Sequence, residues 1–196
     1  MLALVVVAHP SPTSFCHALA ERAAAGLRAA GHDVEMLDLY ALHVAPAMTA
    51  EERLAYHGDD PLRDPTIAGH ADLVRRAEIL AFVYPTWWSG LPAILKGWLE
   101  RVMVPGVGFV FDARGRVRPG LPQVRRLIGI STYGSPRTYV RLVNDNGRRT
   151  ITRALRMSCG WRAKPMWLGL YGIDSSTVDE RREFLDRVER AMAVPT

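Results

Sequence analysis

The sequence predicts a doubly wound α/β sandwich: a five-stranded parallel sheet with helices on both faces. Apolar or β-branched runs recur at residues 2–8, 33–39, 78–84, 126–132 and 165–171, and those without polar alternation, such as LALVVVA, need burial on both faces, which a helix-covered parallel sheet supplies. Segments with helical spacing and helix-end signals lie between the runs, so strand and helix alternate along the chain. A length of 196 residues, 48% hydrophobic and 23% charged, suits a single domain over residues 1–196, and no linker, repeat or low-complexity segment divides it.

The elements follow in order. The first run, LALVVVA, stops at HPSPTSF (residues 9–15), and a helix over FCHALAERAAAGLRAA closes on Gly31, a residue suited to the position after a helix. The second strand, DVEMLDL, leads into a long crossover without regular pattern at residues 40–66, then a short helix near 67–77. Loops of that length in compact domains are functional or disordered. Beyond the third strand, YPTWWSG precedes a helix over 92–104 with Pro92 at its first position. A polar loop, STYGSPRTY (131–139), follows the fourth strand; after the fifth, Ser176 and Asp179 read as the capping box of a last helix ending near Ala193. Five parallel strands in this order fit the flavodoxin-like kind of doubly wound sheet. Its ligands bind beyond the carboxyl ends of the strands, where the strand order reverses.

That rule selects the loops after strands one, three and four. The first meets a helix N-terminus, whose unpaired amides and positive dipole end stabilise an anion. Ser11, Thr13 and Ser14 add hydroxyls, and His9 is placed to donate to a phosphate oxygen; Thr13 or Ser14 acting only as a helix cap is the plainer alternative. In the second loop Trp87 and Trp88 are adjacent, so both cannot enter one core; one of them with Pro85 and Gly90 offers a flat wall for a planar ring, and Gly90 lets backbone approach it, a protein or membrane contact being the rival reading. The third, polar and containing Gly134, stands at the same sheet edge as the other two, a plain connection being the alternative. No G-x-G-x-x-G follows the first strand, and no P-loop, H-E-x-x-H or G-x-S-x-G occurs, which leaves phosphate plus a planar ring as the ligand class.

The net charge of +5 reads as a solvated face that helps draw an anionic cofactor, since the arginines mostly stand beside acids, as in VDERREFLDRVER; no nucleic-acid partner is expected. Cys16 and Cys159 give no metal spacing and no disulfide framework, Cys159 reading as a core thiol, so a reducing, cytoplasmic setting without membrane insertion is expected and no metal is.

Strand-then-AHPSPTSF, YPTWWSGLPAILKGWLERV and STYGSP, in this order, resemble the NAD(P)H:quinone oxidoreductase family. The resemblance implies a homodimer holding FAD, or else FMN, that passes two electrons as hydride from NADH or NADPH to a quinone or similar aromatic acceptor. His9, Thr13, Ser14, Phe15 and Cys16 are then phosphate-loop contacts, with Cys16 standing where vertebrate members have asparagine. Pro85, Thr86, Trp87, Trp88 and Ser89 line one edge of the flavin, and Thr132, Tyr133 and Gly134 the other. Tyr139 matches the family's catalytic tyrosine. The histidine that works with it is absent, its place falling near Asn144 and Asp145, with Arg148 or Arg149 as the replacement positive charge. Trp88, Phe109 and Phe111 belong to the substrate pocket, the two phenylalanines replacing lid tyrosines. Two rival readings remain: an ancillary flavoprotein subunit docking on a potassium efflux transporter, and a nitro- or azo-reductase. An electron carrier of the flavodoxin type is disfavoured by the basic charge.

Overall fold

A computed structural model describes residues 1–194; the last two residues of the predicted 1–196 domain lie outside the described residues. The elements are β1 (Leu2–Val7), α1 (Phe15–Ala29), β2 (Asp33–Asp38), α2 (Ala50–Ala55), α3 (Pro65–Arg76), β3 (Ile79–Pro85), α4 (Ala93–Val102), β4 (Phe109–Phe111), β5 (Val117–Pro119), β6 (Arg126–Tyr133), α5 (Arg137–Leu142), α6 (Asn146–Arg149), a π-helical turn (Thr150–Leu155), α7 (Arg156–Cys159), β7 (Lys164–Tyr171) and α8 (Val178–Met192). The main sheet is parallel, in the order β2-β1-β3-β6-β7.

The side-chain period of two sorts β1 between two cores. Leu4 and Val6 join Phe82, Leu95 and Trp98 beneath α3 and α4. Ala3, Val5 and Val7 join Leu19, Phe184 and Val188 beneath α1 and α8. Burial on both faces is what removed polar alternation from the sequence.

The crossover between β2 and β3 is anchored rather than loose. It contains α2, whose Thr49 and Glu52 form a reciprocal capping box. Arg101 of α4 reaches under it with a buried guanidinium. Its Nε and Nη2 donate to Glu52 at 2.6–3.1 Å, Nη2 also to Asp64 at 2.7 Å, and Nη1 to the Ala45 carbonyl at 2.8 Å. The crossover lies so close to α4 that a Cβ at Gly97 would stand 1.8 Å from the Pro46 oxygen.

Other details depart from the sequence-based expectations. Thr177, with Glu180, caps α8 in place of Ser176 and Asp179, because the Ser176 hydroxyl turns back to the Ile173 carbonyl at 2.7 Å. Pro92 occupies the cap position of α4, one residue before the helix. The antiparallel β4–β5 hairpin was not anticipated; three residues per strand, mostly exposed, carry too little pattern to read. Gly31 does follow α1 with φ +78°.

Candidate functional site

At the carboxyl ends of β3 and β6 the chain leaves an open cavity of about 460 Å³. One wall is the turn Trp87–Gly90. The Trp87 N–H donates to the Gly90 carbonyl at 3.3 Å and the Gly90 N–H to the Trp87 carbonyl at 3.0 Å, with Trp88 at φ +48° and Ser89 at φ +57°. Two central residues with positive φ define a type I′ turn, normally the place of asparagine and glycine. It leaves Trp88 fully exposed and the amides of Trp88 and Ser89 outside the turn's own pairing. Thr86 is fixed beneath it, its N–H donating to the Thr132 carbonyl at 2.8 Å and its hydroxyl 2.8 Å from that of Ser131.

The opposite wall comes from Gly134, Tyr139, Val140, Val143 and Asp145. Tyr133 lines the cavity, but its ring is buried and stacked on Tyr171 at 4.5 Å, and its hydroxyl donates to the Asp145 carboxylate at 3.1 and 3.2 Å. Burial, then the Asp145 charge, pushes the Tyr133 phenol well above its ordinary pKa. Asp145 has φ +43° and accepts from the Arg148 amide at 3.4 Å. The cavity therefore has a carboxylate, Asp145, in its wall. Arg148 and Arg149 face an adjoining cavity.

The first loop approaches the same turn. The His9 ring lies 6.1 Å from Trp87, and its Nδ1 accepts from the Ser11 amide at 3.0 Å, which leaves the hydrogen on Nε2, available as a donor. Burial, against the opposing hydrogen bond with Ser11 and with His17 nearby, lowers the His9 pKa. Ser14 is the cap of α1 and accepts from the His17 amide at 3.3 Å. His17, which sequence reasoning passed over, joins Ser14 to Asp38: its Nε2 lies 2.8 Å from Asp38 Oδ2 and its Nδ1 2.8 Å from Ser14 Oγ. An ionised carboxylate only accepts, so Nε2 carries the hydrogen, and in the neutral ring Nδ1 then accepts from the Ser14 hydroxyl. That occupies the Ser14 proton; the Ser11 and Thr13 hydroxyls are 3.2 Å apart, one donating to the other, which leaves the second as the free hydroxyl donor of the loop.

Phe15 packs against Phe184 at 6.5 Å. The Cys16 thiol is buried 3.8 Å from the Thr132 hydroxyl, and burial pushes its pKa to about 11. From these two residues it is the backbone amides, at the first turn of α1, that remain for an anion. Phe109 and Phe111, 5.7 Å apart on the hairpin, do not line this cavity. Cys159 is buried, its thiol pushed to about 12.

Residues 1–168 match a family model described as flavodoxin-like fold. NAD(P)H dehydrogenase (quinone) 1 of Cavia porcellus is 30% identical over 204 residues, 93% of this chain and 73% of the relative. This chain belongs to the NAD(P)H:quinone oxidoreductase family of that fold. Ribosyldihydronicotinamide dehydrogenase (quinone) of Homo sapiens is 32% identical over 74% of this chain and 69% of its own length. The solved NAD(P)H:quinone oxidoreductase from Methanothermobacter marburgensis superposes with a TM-score of 0.80 at 26% identity, over 98% of this chain and 94% of that one.

As a member of the quinone oxidoreductase family, the chain offers residues that fit a flavin. The cavity between the tryptophan turn and Gly134–Tyr139 has the volume of a small-ligand site, and the amide-bearing start of α1 suits a phosphate. Among the described residues no His, Cys, Asp and Glu cluster could hold a metal, and no helix is long and apolar enough to cross a membrane.

Proposed function

We propose that this protein is a flavin-dependent NAD(P)H oxidoreductase that passes two electrons, as hydride, from NADH or NADPH to a quinone or related aromatic acceptor. The observation that carries the reading is the meeting of three loops at one sheet end, where an aromatic turn faces a cavity and a helix start offers free amides. A bound flavin, FAD in our reading with FMN the alternative, would supply the hydride chemistry.

The protein's own groups have separate tasks. The amides of Phe15 and Cys16, one hydroxyl of the Ser11–Thr13 pair and His9 hold phosphate. The Trp88 and Ser89 amides face a ring edge with donors that the turn leaves free. Trp87 and Trp88 cover the ring and shed water from it, and Tyr139 supplies an exposed hydroxyl opposite. Asp145 keeps a negative charge in that wall, which opposes a second one nearby.

We read the working form as a homodimer. Val110, Phe111 and Val117 leave the hairpin with an exposed apolar surface. A second copy gives Phe109 and Phe111 a cavity to cover, which their own chain does not.

Colour tests the reading first. The purified protein is expected to be yellow and to release FAD or FMN on denaturation, and to oxidise NAD(P)H when a quinone is added. A protein that binds neither flavin on reconstitution refutes it.

A further inference from the structure

The formal excess of +5 is concentrated in one place. Residues 137–156 hold six arginines and one acid, Asp145, a net charge of +5; the rest of the chain balances 19 Lys and Arg with 19 Asp and Glu. The arginines that stand beside acids in sequence account for the balanced part only.

Five of the six line a cavity of about 320 Å³ that shares Val140 and Asp145 with the aromatic cavity: Arg137 and Arg141 from α5, Arg148 and Arg149 from α6, and Arg153 from the π-helical turn. Elsewhere Arg22, Arg63, Arg75, Arg101, Arg116, Arg118 and Arg182 each meet a carboxylate. None of the five does so among the described residues. Arg137 lies 5.8 Å from the centre of the Tyr171 ring, and the other four side chains make no hydrogen bond among the described residues. Arg137 and Arg141, like Arg149 and Arg153, are four apart on helical segments, where like charges repel. Such a cluster, converging on a concavity, is a cost that a bound anion removes, and guanidinium forks match phosphate oxygens two at a time.

We propose that this cavity is the phosphate subsite for the pyridine-nucleotide donor. The inference rests on the aromatic cavity being the hydride-transfer site: a donor whose nicotinamide enters there has its phosphates at hand for the adjoining arginines. NADH brings a pyrophosphate and NADPH adds a 2′-phosphate monoester of about two further negative charges, so the cluster favours NADPH.

Calorimetric titration of the purified holoprotein with 2′,5′-ADP, against 5′-AMP as control, reads the site without turnover. The 2′,5′-ADP is expected to bind more tightly, with affinity falling as salt rises. Arg141→Gln combined with Arg153→Gln changes two exposed side chains and should weaken that binding at least about tenfold by removing two charged hydrogen-bonding forks. In turnover the same variant should raise KM for NADPH by a similar factor, and leave reduction by 1-benzyl-1,4-dihydronicotinamide, which carries no phosphate, as it was. A larger loss for NADPH than for NADH places the 2′-phosphate in the subsite; equal losses for the two place the pyrophosphate there. No change with any donor, or an equal loss with all three, overturns the proposal. A flavin-loaded protein indifferent to 2′,5′-ADP and to the substitutions refutes the subsite alone. A protein that binds 2′,5′-ADP through these arginines yet takes up no flavin refutes the hydride-transfer reading instead.

Discussion

Arg101→Met isolates the contribution of the buried network that holds the β2–β3 crossover to α4. The Arg101 side chain is 3% exposed and that of Glu52 8%. Removing Arg101 leaves the Glu52 carboxylate with the Thr49 amide at 2.8 Å and little water. Stranding one partner of a buried pair costs about 3–5 kcal/mol. For a chain of this size that is a fall in Tm of roughly 6–20 °C. The exposed Lys96–Glu100 pair on the same helix is the control, and Lys96→Met should cost at most about 0.5 kcal/mol. The assay is urea or thermal unfolding followed by circular dichroism, with hydrogen exchange over residues 45–64 to separate local release of the crossover from global unfolding. The acid limb gives a second check. Burial raises the Asp64 pKa, but Arg101 and the amides of Thr66 and Ile67 outweigh it and hold the carboxyl below its usual value. A lowered carboxylate pKa adds stability above the unfolded value, about 4, and that stability is lost as pH falls through the folded value. Without Arg101 the loss of stability below about pH 5 should therefore be shallower. A cost under about 1 kcal/mol, or one equal to that of Lys96→Met, would refute the reasoning.

The turn, the carboxylate and the thiol yield further expectations. Trp88→Asn with Ser89→Gly puts the preferred residues at the two positive-φ positions and should stabilise the fold by about 1 kcal/mol, while weakening flavin retention measured by dialysis; a lower Tm would contradict the strain assigned to the turn. Asp145→Asn removes the negative charge from the cavity wall and should raise the reduction potential of the bound flavin by tens of millivolts, on the order expected for one nearby charge; an unchanged or lower potential would show that the carboxylate does not face the ring. Cys16, buried with its pKa near 11, should resist iodoacetamide at pH 8 until the protein is unfolded, and rapid labelling of the native protein, located by mass spectrometry, would place the thiol in the site after all.

The parallel sheet was legible because burial on both faces leaves an unmistakable mark, as in LALVVVA and RLIGIST. The three loops were legible because fold geometry dictates where such sheets bind. What escaped notice depends on side-chain direction. Cys16 and Tyr133 sit in the right loops, yet the thiol and the ring turn into the core, a choice made by packing against Thr132 and Tyr171. His17 finds Asp38 across two elements, and no local spacing announces that pair. The crossover reads as irregular because its order comes from Arg101, far along the chain. The arginine cluster hides in an average: a glance at VDERREFLDRVER suggests balance, and only the gathering of α5, α6 and the π-helical turn around one cavity reveals where the surplus lies.

The conformation at Trp88 also gives the protein an optical gauge. An indole held fully in water beside a cavity emits at long wavelength, and any ring that settles against it replaces water and quenches or blue-shifts that emission. Trp98 is buried, Trp167 is half-buried, and Trp87 is partly covered, whereas Trp161 is largely exposed at the far end of the sheet. With Trp161→Phe in the background, the reddest fluorescence of the molecule comes from the turn itself. Occupancy of the cavity can then be followed in real time with no added dye.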